Sequence, residues 1–130
     1  MRIASGIFVA LFALGAIVQL NDPDPFVWIL GYASASLLSL AAAFGRPHRI
    51  ANMIAAIVFG IWFTSLATSL AGAPQEAFTS FRMQAESHEE PREAAGLALL
   101  SCWSVALAIW AGRKDALDAQ LRADATADSE

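Results

Sequence analysis

The sequence predicts an all-α, integral membrane four-helix bundle with short first and second loops. Two observations predict it. Of 130 residues, 57% are hydrophobic and 15% charged, against about 25% charged in an ordinary soluble domain. The charges are also segregated: residues 3–20, 26–45, 50–72 and 94–112 form blocks of 18, 20, 23 and 19 residues with no Asp, Glu, Lys or Arg. A bilayer core of about 30 Å takes about 20 apolar residues of helix, so each block is long enough to span. This patterning excludes a soluble globular enzyme and a disulfide-stapled secreted module. A net charge of -4 with no basic patch excludes a nucleic-acid binder.

The first span follows Arg2, as the apolar core of a secretory signal would. Its 18 residues exceed the usual signal core of about 7 to 15, and Val18-Gln19-Leu20-Asn21 offers no small-x-small cleavage site, so it reads as a retained helix. Loop one, Asn21-Asp22-Pro23-Asp24-Pro25, has five residues and loop two four, lengths that join antiparallel neighbours. Spans one to three therefore read as two consecutive hairpins, and the fourth returns after a loop three of 21 residues. Residues 1–112 read as one four-span domain and 113–130 as an acidic tail.

Helices in lipid associate where small residues let backbones approach. Gly31, Ala35, Ser39 and Ala43 recur every fourth residue in span two, Ala56, Gly60, Thr64 and Thr68 in span three, and Ala98, Cys102 and Ala106 in span four. Each stripe is expected to be a packing seam, with Cys102 a small packing residue. As the single cysteine, Cys102 can form no internal disulfide. Trp28 and Trp110 fall near span ends, where an indole suits the headgroup region. Trp62 and Trp103 fall near span midpoints, where the expectation is buried packing with the N–H bonded to a Ser or Thr rather than a hydrophobic ligand between them.

Gly72-Ala73-Pro74 is expected to end the third helix. Beyond it, Phe78 and Phe81, one helical turn apart within Glu76 to Ser87, predict a short helix at the membrane interface. The tail carries Asp115, Asp118, Asp124, Asp128 and Glu130 and is expected to extend the last helix for a few turns before fraying. Arg2, Arg46, Arg49, Arg113, Lys114 and Arg122 share one side, against Arg82 and Arg92 on the other. By the positive-inside rule both termini are then cytoplasmic, and loops one and three face the opposite side together.

The apolar blocks hold no ionisable side chain, which speaks against a proton-coupled pump, since proton relays and ion pathways need charges within the membrane. Polar chemistry is concentrated at the non-cytoplasmic ends. In loop one, Pro25 suits the first position of a helix, Asp24 its N-cap, and Asn21 the end of the preceding helix. The turn reads either as a rigid capped connection or as two carboxylates, Asp22 and Asp24, held by prolines for a ligand. Asp24, Trp28 and Tyr32 descend one helical face, with Gln19 at comparable depth on the first span. The second cluster, His88-Glu89-Glu90-Pro91-Arg92-Glu93, precedes span four, where acidic residues also suit the helix dipole. Topology puts both clusters at one end of the bundle.

The candidate polar cap, as a ligand site or a structural clasp, is therefore Asn21, Asp22, Asp24, Trp28, Tyr32, Glu89, Glu90, Arg92 and Glu93. No spacing matches a metal signature, so neither a metal nor a cofactor is assigned. An Asp-x-Asp pair also occurs in nucleotide-sugar enzymes, but no nucleotide-binding domain accompanies Asp22 and Asp24. The two histidines, His48 and His88, fall on opposite sides of the membrane, so no nucleophile and base can be paired.

Gln19, the Asn21-Asp22-Pro23-Asp24-Pro25 string, Trp28 and Tyr32, followed downstream by Glu89-Glu90-Pro91-Arg92-Glu93 and Gly96-Leu97, resemble the transmembrane protein 220 family. The resemblance covers the spans and not the tail. It implies a small multi-span membrane protein and directs attention to Asp22, Asp24, Trp28, Tyr32, Arg92 and Glu93, but it names no reaction and carries over no catalytic residue. The expected localisation is a bacterial inner membrane. The expected partners are the lipid bilayer together with a membrane protein or a second copy of the chain. The leading functional reading is an accessory, interaction or small-ligand-binding protein. The alternative is a small membrane enzyme or carrier acting on a lipid or quinone-like molecule, with Trp62, Trp103 and Tyr32 lining a cavity beneath the carboxylates.

Overall fold

The computed structural model describes residues 1–21, 25–79 and 89–127. Helix α1, Arg2–Val18, runs into a 3-10 turn at Gln19–Asn21. It is followed by α2, Pro25–Ala43, and α3, Arg49–Leu66, which tightens into a second 3-10 turn at Ala67–Leu70. A four-residue helix α4, Glu76–Thr79, precedes α5, Glu89–Ala127. The described residues form an all-α membrane bundle.

The sequence explains where these helices start and stop. Pro25 opens α2, where its missing N–H costs nothing and its fixed φ suits the first turn. At the other end Gly45 takes φ 77°. Its N–H donates to the Ala42 carbonyl at 2.8 Å and that of Arg46 to the Ala41 carbonyl at 2.9 Å, a Schellman closure that uses the left-handed freedom of glycine. Arg2 Nε donates to the Ala43 carbonyl at 3.0 Å, tying the start of α1 to the end of α2. Helix α3 gives way before Gly72 is reached. The hydroxyls of Thr64, Ser65 and Ser69 each donate to the carbonyl three residues back, at 2.6, 2.6 and 2.7 Å, competing with the α-helical ladder where it tightens. Gly72, at φ 89°, then turns the chain towards α4.

Cross-helix contacts fix the directions. Arg2 meets Ala43, Val9 meets Ser36 and Gly15 meets Tyr32, so α1 and α2 are antiparallel. Arg49 meets Gly112, and Ala56 and Gly60 meet Ser101, so α3 and α5 are antiparallel. Tyr32 meets Gly96 and Ser39 meets Trp103, so α2 and α5 run parallel as a diagonal pair through the middle. The second hairpin expected from loop two is looser than the first. Helices α2 and α3 meet through large side chains, Trp28 on Trp62 and Phe59 beside Gly31, and the close pairs are α1 with α2 and α3 with α5.

The core contains Phe12, Trp28, Ala35, Phe59, Leu97, Leu100, Trp103 and Leu107. The span-two seam is buried at Ala35 and Ser39, and the span-three seam holds at Ala56 and Gly60 but lapses at Thr64 and Thr68, which are exposed. The expected span-four seam holds only in part: Ala98 and Ala106 are half-buried, with Ala106 against the core, while Cys102 is turned outward. Leu97, Leu100, Trp103, Ser104 and Leu107 take the inward face of α5, and a helix has only one such face, so Cys102 is exposed. Buried polar residues are Ser5, Ser39, Asn52 and Ser104, whereas Ile3, Ile7, Leu30, Leu37, Ile54, Ile61 and Ile109 point out. An apolar exterior around a partly polar interior suits lipid and would aggregate in water.

Helix α2, the segment Arg49–Leu70 and α5 are each long and apolar enough to cross a membrane. Helix α1 is a 17-residue apolar helix, about 25 Å long before its 3-10 turn. Helix α5 has 39 residues, about 58 Å, so it exceeds the bilayer core of about 30 Å. Its excess is the tail, helical to Ala127, where Lys114 Nζ pairs with Asp118 Oδ2 at 2.8 Å. Of the expected interfacial helix, α4 carries exposed Phe78 beside buried Ala77, and Phe81 lies outside the described residues.

Candidate functional site

The candidate cap lies where α2 and α5 begin. Trp28, one turn into α2, is 6% exposed and stacks on Trp62 of α3 with ring centroids 4.6 Å apart and planes at 28°. Its indole is therefore part of the core, not held among headgroups as its position near a span end suggested. The reason is a partner: two indoles bury more apolar area against each other than either gains at an interface.

Tyr32 lies one turn below, half-buried between three helices. Its ring covers Gly15 of α1 so closely that a Cβ there would stand 3.0 Å from Cδ1, and its hydroxyl takes the place that a Cβ on Gly96 of α5 would need. Glycines in helix interiors cost helix propensity, and here each makes room for one side of a tyrosine. The ring of Phe12 stands 6.3 Å away. Gly96 follows Arg92 and Glu93 by four and three residues, the spacing of one helical face. Tyr32 thus ends one turn below the cationic and acidic residues that open α5.

Around that opening, Glu89, Arg92 and Glu93 are half-buried, Glu90 is exposed and Pro91 is buried in the first turn. Asp22 and Asp24 lie outside the described residues, as does the side chain of Asn21, and so does His88. The described part of the cap is therefore Trp28 and Tyr32 on α2 with Glu89, Glu90, Arg92 and Glu93 on α5. Among the described residues no three His, Cys, Asp or Glu side chains are grouped to hold a metal ion. The arrangement offers carboxylates and a guanidinium for hydrogen bonding and ion pairing above an interior packed with aromatic rings.

Deeper in the bundle the second tryptophan site is filled as well. Trp103, 9% exposed, stacks on Phe8 of α1 with centroids 3.8 Å apart and planes at 10°. Its Nε1–H donates to Ser39 Oγ at 2.8 Å, and the serine hydroxyl in turn donates to the Ala35 carbonyl at 2.7 Å. This is the Ser-bonded, buried indole that the mid-span position suggests. Sequence reasoning had not singled out Gly15, Gly96 as a tyrosine seat, or the Ser39–Trp103 bond. The available signal was an isolated glycine inside an apolar helix, which marks close approach without naming the partner.

The pattern of the family described as "Transmembrane family 220, helix" matches residues 11–109. The chain belongs to the transmembrane protein 220 family. The match runs from Leu11 in α1 to Ile109 in α5, so it takes in the Asn21–Pro25 string, Trp28, Tyr32, Arg92, Glu93 and Gly96, and it leaves the exposed tail outside. No solved structure matches the chain. Membership in a transmembrane family and the apolar exterior of the bundle agree on a lipid bilayer as the surroundings of this family member.

Proposed function

We propose that this protein is a non-enzymatic accessory protein of the membrane, whose acidic end binds a small ligand or a partner protein while the bundle below serves as a rigid support. The observation that carries this reading is the packing of the aromatic residues nominated for a cavity. Tyr32 is seated on Gly15 and Gly96, Trp62 on Trp28, and Trp103 on Phe8 and Ser39. With those rings occupied by one another, exposed Glu90 and half-buried Glu89 and Arg92 at the start of α5 support a polar contact with a partner at this end. Four spans, suggested by the four charge-free blocks, and a bacterial inner membrane complete the proposal, with two cytoplasmic termini supported by the six-to-two distribution of Lys and Arg.

Mass spectrometry of the purified protein tests the reading. The expected result is ordinary bilayer lipid with no stoichiometric quinone-like or isoprenoid molecule, and a photo-crosslinker placed at exposed Glu90 should capture a discrete membrane protein or a second copy. One quinone-like molecule per chain, lost on Tyr32→Ala, would replace this reading with a small enzyme or carrier. For orientation, Ser80→Cys and Ala125→Cys are each introduced in a Cys102→Ser background. An impermeant thiol reagent applied from outside the inner membrane should label the first and not the second.

A further inference from the structure

An open groove of about 580 Å³ runs between α3 and α5 at the end of the bundle opposite the cap. Its length is apolar, with Ala56 and Ile57 on one side and Val105 and Ile109 on the other, and its mouth is formed by Arg49 and Arg113. Small residues keep it open. Gly112 leaves a notch in α5, and the Arg49 side chain lies across it, with Nε 3.4 Å and Cζ 3.5 Å from the point a Cβ would occupy. Packing on α5 thus holds the guanidinium at the mouth.

The charge at this mouth has no counter-charge in contact among the described residues. Lys114 pairs with Asp118 at 2.8 Å, and neither Arg49 nor Arg113 has a described carboxylate within 4.0 Å. No acidic residue lines the groove, and Asp115 lines the adjoining depression beside Arg49. Helix α3 also starts here with no side-chain cap at His48, so its first-turn amides add positive potential. From Arg49 to Ile57 is about 12 Å of helix, enough to accompany the upper part of an acyl chain. Two guanidiniums above an apolar trough suit an amphiphile with an anionic head, because arginine grips phosphate oxygens through forked hydrogen bonds.

We propose that this groove is a binding site for one anionic phospholipid, with its phosphate on Arg49 and Arg113 and one acyl chain along the α3–α5 seam. Under the proposed orientation, the site opens to the cytoplasmic leaflet, where anionic lipids create an attractive field for basic residues.

Native mass spectrometry of the full chain in detergent, with equal amounts of phosphatidylglycerol and phosphatidylcholine of matched chains, tests this. The wild type should retain phosphatidylglycerol preferentially. The double variant Arg49→Gln, Arg113→Gln should lose that preference by roughly tenfold, the scale of two basic residues at an anionic surface. Arg46→Gln, outside the groove, should keep it, and Ala108→Phe should weaken retention by filling the trough without changing its charge. Equal retention of the two lipids by the wild type overturns the proposal, as does a preference that survives the double variant. A loss with Arg46→Gln equal to that of the double variant, or unchanged binding with Ala108→Phe, overturns it too, because the attraction would then be diffuse charge.

Discussion

The hydroxyl of Tyr32 on α2 occupies the space that a side chain on Gly96 of α5 would fill, while the tyrosine ring rests on Gly15 of α1. One side chain therefore sets the spacing of three helices directly beneath the polar cap. The ring is hemmed in on the α1 side, so the hydroxyl cannot swing away freely when something is added at Gly96.

Gly96→Ala is accordingly expected to destabilise the protein by about 1 to 3 kcal/mol, the usual range for overpacking. In a Tyr32→Phe background, where the colliding oxygen is gone, the same substitution should cost distinctly less. Thermal midpoints of the four proteins in one detergent measure this, and additive losses would show that the two residues do not share the space.

A second expectation concerns Trp103 and Ser39. Ser39→Ala leaves the indole N–H without its acceptor inside the bundle, at a cost of about 1 kcal/mol, in line with interhelical hydrogen bonds in membranes. The same change made after Trp103→Phe should be nearly silent. An equal loss in both backgrounds would assign the effect to packing at Ser39 and not to the hydrogen bond.

At the cap, Arg92 is half-buried on α5 and is the cation nearest in sequence to Glu89, Glu90 and Glu93. We predict that it pairs with Asp24 or Asp22 across the two loops, because one guanidinium can bridge carboxylates through forked hydrogen bonds. Breaking a buried pair costs about 3 to 5 kcal/mol and an exposed one about 0 to 1, so the size of the loss on Arg92→Ala separates a clasp from a solvated rim. A double-mutant cycle with Asp24→Ala reads the coupling, and zero coupling rules out the Asp24 partner.

The tail makes a prediction about pH. The hydrogen bond from Lys114, helped by the nearby positive charge of Lys114 and Arg122, holds the Asp118 carboxyl below the ordinary aspartate range. A lowered folded pKa means that the pair's contribution is complete above the ordinary aspartate value and is lost as pH falls through the folded one. NMR titration of Asp118 should show the depressed midpoint, and Lys114→Gln should move it upward. An unmoved midpoint would mean that the pair does not persist in solution.

Much of the architecture was legible because lipid imposes a composition. A helix in a bilayer must be apolar for about 20 residues, and the charge-free blocks mark four such stretches along the chain. Local signals worked where their physics is local: Pro25 opens α2, and the tail continues α5. The Gly45 closure of α2 is equally local, whereas the early end of α3 goes with the hydroxyl bonds of Thr64, Ser65 and Ser69 and lies ahead of the Gly-Ala-Pro signal.

By itself, then, the sequence determined that this is a helical membrane protein and which segments are its apolar helices. The small-residue stripe already marked the inward face of α2 at Ala35 and Ser39, whereas tertiary structure decided the inward face of α5. In lipid the outward face is as apolar as the inward one, so hydrophobic periodicity gives no direction, and the choice falls to shape and hydrogen bonding. Trp103 turned in to stack on Phe8 and reach Ser39, which carried Cys102 out to the surface. Tyr32 turned in because Gly15 and Gly96, 81 residues apart in the chain, leave room for it only when α1 and α5 flank α2.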